Sequence, residues 1–420
     1  MNILLIAYFA LFFYLGFRNY KTALWLFLVF LPVYFIKISL FGQSSNLLEL
    51  TFFALFFSWF IFYFKNDWQV LKIFFKENKY FSLGVFIFLM LAFIATLNNQ
   101  FFIRGLGHWR SYFLEPVVFF WILIARGQNF RSKEMVWGLF FASLPVSLLS
   151  VFQMITGKFI YTPEWSILAA RRVTAFFTSP NAVALFLEMI FILAGVYFWR
   201  LYKSEDKKKK YFILTVFVLA GLAILFSFSQ GAWVALFAGL LVFLWLVDYK
   251  KSAFILLFLT ILSVLFISSA REILLFKDKA GQNRLILWQT TQNYLFSNPK
   301  RFIFGTGLRR FYGEIQMPLA NKVMEPLTYP HNIVLNFWSE IGFLGMLSFF
   351  FIYFFLIKMS FDIYVKEKII GAGLICVWLV FFVHGLVDVP YFKNDLSFLF
   401  WALAALVFYF KTALIKKENA

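Results

Sequence analysis

Apolar runs close to the length of a membrane-crossing helix follow one another along this chain, parted by short polar breaks. They fall near residues 2–17, 22–40, 47–64, 81–97, 112–125, 135–155, 181–201, 211–226, 231–247, 253–269, 333–356, 369–387 and 396–411. The pattern predicts an all-α integral membrane protein with 12–13 transmembrane helices, because a helix satisfies its own backbone where lipid offers no partner. The run at 2–17 is the weakest, and without it the count is 12. It lacks a basic leader and a small-residue cleavage site, so it reads as a retained span rather than a signal peptide. One long polar stretch, 270–332, divides the chain into an N-terminal helical part (1–269), an outer loop, and a C-terminal helical part with a tail (333–420).

Charge orients the spans. The run Lys207 to Lys210 lies between two of them, and short Lys-rich loops stay in the cytoplasm. Alternation then places Lys65, Lys72, Lys76, Lys79, Arg126, Arg131, Lys250, Lys251, Lys366, Lys368 and the C-terminus on the same side. The loops at 98–111, 156–180, 270–332 and 388–395 face outward. That outer face carries Arg104, Arg110, Arg171, Arg172, Arg271, Arg284, Arg301, Arg309 and Arg310. Topogenic sorting does not favour such a set, whereas the forked guanidinium suits phosphate oxygens. The alternative is interfacial arginines that snorkel to lipid headgroups.

Composition agrees. The chain of 420 residues is 62% hydrophobic and 23% aromatic, with 65 Phe, against about 45–50% apolar in soluble chains. Its formal charge of +19 resides mostly in loops beside apolar runs, which excludes nucleic acid as the natural partner and points to membrane lipids. The single cysteine, Cys376, lies within an apolar run and can form no intrachain disulfide.

The outer loop is structured. Asn283 to Phe296 reads as an amphipathic helix with Arg284 beside the stripe of Leu287, Trp288, Thr291 and Leu295. Asn298-Pro299 ends it, and Gly305-Thr306-Gly307 makes a turn before Arg309-Arg310. The loop closes at Tyr329-Pro330-His331-Asn332, where an apolar helix begins. Thr328 is the expected cap, with Pro330 in the first turn. His331 then lies at a helix N-terminus, whose dipole keeps imidazole neutral and able to accept a proton. The plainer reading is an interfacial histidine held by a hydrogen bond. Asn332, Asn336 and Ser339 share one side of that helix. Glu340 lies about 180° from His331 and is expected to bond within the bundle. His108 and His384 read as structural. No metal-ligand spacing and no nucleotide-binding Gly-Lys-Ser/Thr motif occurs, so neither metal nor cofactor is expected.

Several blocks in order resemble the O-antigen ligase/polymerase family of membrane glycosyltransferases. They are Phe177-Thr178-Ser179-Pro180-Asn181-Ala182-Val183-Ala184, Ser227-Phe228-Ser229-Gln230-Gly231-Ala232-Trp233, Arg284 to Trp288 with Asn298-Pro299 and Gly305-Thr306-Gly307, and Pro330 to Leu335 with Glu340-Ile341-Gly342. They cover roughly residues 170–400; the first 165 residues match only as apolar spans. The resemblance implies a GT-C-like fold, an active site on the outer face of the cytoplasmic membrane, and metal-independent inverting transfer. The donor would be a glycan on polyprenyl diphosphate, usually undecaprenyl. The acceptor would be a hydroxyl on a glycan, a lipid or a protein. It also implies His331 and Arg284 as catalytic, Arg171, Arg172, Arg309 and Arg310 as diphosphate ligands, and Asn181, Gln230, Asn332 and Glu340 as supporting residues. Family members often carry Arg where this chain has Gln230, so one expected cation is missing. A flippase or transporter of the same lipid-linked saccharide would also want outer arginines, but would carry charges deep in the bundle. A repeat-unit polymerase of the same family is the other alternative, and a structural scaffold would need no His331 constellation.

Overall fold

The computed structural model describes residues 3–40, 43–97, 102–127, 130–202, 205–317 and 327–418. It bears out an all-α membrane protein: the one sheet among the described residues is the hairpin Lys37–Leu40 with Gln43–Asn46. Among the described residues, seven helices are long and apolar enough to cross a bilayer: Lys79–Leu97, Ser132–Thr156, Pro180–Leu201, Lys207–Phe226, Ile333–Lys366, Lys368–Gly385 and Asn394–Lys416. The other apolar runs are also helical but shorter or broken, as in Ile3–Arg18, Tyr20–Val29, Gln230–Leu246 and Lys250–Phe266. At 1.5 Å per residue, such helices fall short of the roughly 30 Å hydrocarbon layer. The expected 12–13 spans are therefore seven full-length helices, with an eighth if the bent pair Leu47–Phe62 and Phe64–Glu77 counts as one. That pair turns through 95°. Asp67 holds the bend by accepting from Trp59 Nε1 at 2.8 Å and pairing with Arg126 at 3.2 Å.

Contacts sort the loops into two sets. Arg126 meets Asp67, Lys21 meets Glu134, Arg200 meets Glu367 and Lys368 meets Asp248. All of these lie on segments that charge patterning places together. At the other end, Arg172 meets Ser227, Asn181 meets Asp388, Asn394 meets Ser111 and Trp288 meets Pro330. The apolar core runs from Phe12 to Phe408, so the helices before and after the 270–332 loop share it. The loop keeps a small core of its own around Leu287, Phe311 and Ile315.

A broken helix seats that loop. The helix Ile333–Lys366 is interrupted at Gly342, where φ is 77°. The break removes the helical partner of the Ser339 carbonyl. Thr306 replaces it, donating from its N–H at 2.7 Å and from its hydroxyl at 2.9 Å. Only glycine fits on either side. A Cβ on Gly305 would lie 2.3 Å from Ser339 O, and one on Gly342 would lie 2.1 Å from Ile303 O. Trp338 Nε1 adds a bond to Phe302 O at 2.7 Å.

Candidate functional site

Arg171 and Arg172 sit on extended backbone between the helices Ser132–Thr156 and Pro180–Leu201, and their side chains diverge. Arg171 Nη1 donates to the carbonyls of Met154 (2.7 Å) and Ile155 (3.3 Å), capping the end of the preceding helix. Arg172 reaches the tight turn before the helix Gln230–Leu246. It donates to Ser227 O at 3.0 Å, Phe228 O at 3.2 Å and Asn181 Oδ1 at 3.2 Å. Burial, and then the like charge of Arg284, push its pKa below the usual arginine range. Both effects would be relieved by an anion.

Asn181 passes this contact on. Its amide donates to Asp388 Oδ2 at 2.9 Å. Asp388 Oδ1 in turn faces His331 Nδ1 at 3.2 Å and accepts the Val389 N–H at 2.9 Å. Burial alone would raise the Asp388 pKa. Its contact with His331, and after that His384 and Arg284, outweigh burial, and the acid is held well below the usual carboxylate range. An ionised carboxylate only accepts, so His331 Nδ1 carries the proton and Nε2 presents a lone pair. The backbone enforces this pose: His331 has φ 49°, a left-handed conformation that costs about 1 kcal/mol for a side chain of its size.

The helix begins at Ile333, and Asn332 rather than Thr328 is its cap. Asn332 accepts the Leu335 N–H at 3.0 Å and donates to Leu386 O at 3.0 Å, which draws the Asp388 segment against the helix start. The cap lies four residues beyond the expected Thr328 because Thr328 and Asn332 both suit the role, and the contact with Leu386 that favours Asn332 is visible only in three dimensions. Pro330 O accepts from Trp288 Nε1 at 3.0 Å. Trp288 is one turn from Arg284 on the helix Lys279–Phe296, so this bond brings Arg284 over the site. The Arg284 charge acts on Asp388, His384 and Arg172, and no described carboxylate lies within ion-pair distance of it.

The remaining expected residues fall nearby or apart. Arg309 N–H donates to Glu340 Oε2 at 2.6 Å, so Glu340 is held by the 270–332 loop rather than by a partner within the bundle, and it is not bonded to His331. The Arg309 side chain is exposed, and its charge acts on His108 and Tyr112. Arg310 pairs with Glu314. Gln230, half-buried, opens its helix one residue before Gly231, where a Cβ would lie 2.8 Å from the His384 ring. Tyr329 meets the His331 ring edge-on at 5.3 Å.

The sequence reading left out Asp388 and Glu188, and took His384 as structural without naming its partner. His384 is bonded to Glu188 through Nδ1 and Oε2 at 2.7 Å, and both are fully buried. The signal was present. A carboxylate and an imidazole inside apolar runs demand partners, and each is the other's best candidate. Asp388 was one of few acids on an arginine-rich face.

Residues 214–350 match the family described as O-antigen ligase. That segment includes the Ser227 turn, the outer loop, His331 and the helix break at Gly342, and it bears out the resemblance read from the motifs. No curated protein matches the chain.

Proposed function

We propose, with the O-antigen ligase segment as premise, that this membrane glycosyltransferase moves a glycan from polyprenyl diphosphate, undecaprenyl diphosphate in bacteria, to an acceptor hydroxyl. The reaction occurs at the outer face of the cytoplasmic membrane. One observation carries the reading. His331, oriented by Asp388, shares a face with Arg172 and Arg284, two guanidiniums that meet no described carboxylate at ion-pair distance.

The acceptor hydroxyl gives its proton to His331 Nε2 as its oxygen bonds to the anomeric carbon. The bond from that carbon to the diphosphate oxygen breaks, and its electron pair leaves with the diphosphate. Attack opposite the leaving group inverts the centre. Charge builds on the imidazole and on the diphosphate together. Asp388 stabilises the first, and Arg172 with Arg284 the second. Arg172 reaches the turn that holds Gln230, so a cation from another segment supplies what family members often place in the turn itself. Arg171 serves its helix end and Arg310 its loop, which leaves Arg309 as the auxiliary ligand. The guanidiniums that would hold the donor gather with His331 at one end of the bundle, the arrangement that transfer requires.

Purified protein in proteoliposomes with a polyprenyl-diphosphate oligosaccharide tests this. Wild type releases polyprenyl diphosphate when acceptor is added. His331→Ala and Arg284→Ala each lose about 100-fold or more. Full turnover in both variants would refute the site, and donor crossing the bilayer with its glycosidic bond intact would establish the transporter.

A further inference from the structure

We propose that Glu188 and His384 are positioning residues, a buried pair that holds both halves of the site in register. This rests on the transfer reading above. Asn181 and Glu188 are seven residues apart on the helix Pro180–Leu201, so they share one face. His384 and Asp388 are four residues apart at the end of the helix Lys368–Gly385. The two elements are therefore joined by two rungs: Asn181 to Asp388 at 2.9 Å, and Glu188 to His384 at 2.7 Å. The upper rung touches the site. The lower rung lies beneath it in the apolar bundle and sets the spacing on which the upper one depends.

The His384 ring also bears on a third element. Its Cδ2 would lie 2.8 Å, and its Nε2 3.1 Å, from a Cβ on Gly231. The helix behind the Ser227–Gly231 turn thus rests on this imidazole, and the same turn offers Ser227 O and Phe228 O to Arg172. One ring fixes the carboxylate that orients His331 and the carbonyls that orient Arg172.

A well-packed apolar pair would fill this place with less desolvation. What it could not supply is direction. Glu188 Oε1 has no described hydrogen-bond partner, so the carboxylate is held through Oε2 and His384 alone. The ring plane is set by that single bond.

The test combines turnover with a readout that needs none. The chain has 3 histidines, so ¹⁵N-histidine spectra in detergent are assignable by single substitutions. In wild type, His331 shows the Nδ1-protonated tautomer. Glu188→Ala lets Asp388 shift, so kcat falls about tenfold or more while the donor KM stays within about threefold, and the His331 signal shows mixed tautomers. Glu188→Gln still accepts from His384 and restores kcat to within about threefold of wild type. Gly231→Ala wedges the ring and reproduces the kcat loss with Glu188 intact. Glu188→Ala with unchanged kcat and an unchanged His331 spectrum would overturn the assignment. A wild type that transfers no glycan would refute the function, yet the His331 spectra would still decide the role of the pair.

Discussion

Replacing Asp388 with Asn probes the site most sharply, because the carboxylate accepts from three donors and an amide cannot. Oδ1 takes His331 Nδ1 at 3.2 Å and Val389 N–H at 2.9 Å, and Oδ2 takes Asn181 Nδ2 at 2.9 Å. An asparagine with its oxygen toward His331 sets an NH₂ against the Asn181 NH₂. If Asn181 flips to accept it, its own NH₂ then faces the Arg172 guanidinium, 3.2 Å from the present oxygen. Turned the other way, the new amide donates to His331 Nδ1 and forces the proton onto Nε2, abolishing the base. The first case also loses the charge that stabilises imidazolium. A unit charge at about 4 Å is worth about 4 kcal/mol at an effective dielectric of about 20. His331 is 20% exposed, so we take about 3 kcal/mol, which is about 100-fold in kcat. The assay is polyprenyl diphosphate release in proteoliposomes at saturating acceptor, with a melting curve to establish that the variant folds. A folded Asp388→Asn protein with kcat within about threefold of wild type would refute the orienting role of Asp388.

Arg171→Ala and Arg172→Ala should separate. The first loses the cap on Met154 and Ile155 and costs about 1–2 kcal/mol of stability with kcat intact, whereas the second loses about 100-fold in turnover; equal kinetic effects would contradict the division. Gly305→Ala places a methyl 2.3 Å from Ser339 O at a φ of 66°, so the outer loop should come off the broken helix, lowering the melting temperature by an amount equivalent to about 3 kcal/mol or more. Wild-type melting behaviour in that variant would mean the loop is not seated there. For pH, the folded Asp388 pKa lies below its unfolded value. Its stabilising contribution is therefore complete above the unfolded pKa of about 3.9 and is lost only as pH falls toward the folded one. The stability difference between wild type and Asp388→Asn should not shrink from about pH 7 to pH 5, and a difference that shrinks across that window would show Asp388 taking up a proton there.

Much of this protein was legible from its chain because the relevant forces are local. Whether a segment is lipid-facing depends on its own side chains, and a backbone in hydrocarbon has few ways to satisfy itself. The helices and the structured 270–332 loop with its helix followed from that. The histidine at the loop's end was visible too. Tertiary structure decided which arginines share a site. Arg171 and Arg172 are neighbours in sequence, yet one caps a helix and the other faces Asn181. Asp388 lies 57 residues from His331, and Glu188 lies 196 from His384. No periodicity encodes such pairings. They arise where helix ends, a glycine-seated loop and a two-rung contact between helices converge, so the chemistry had to be read from the packing.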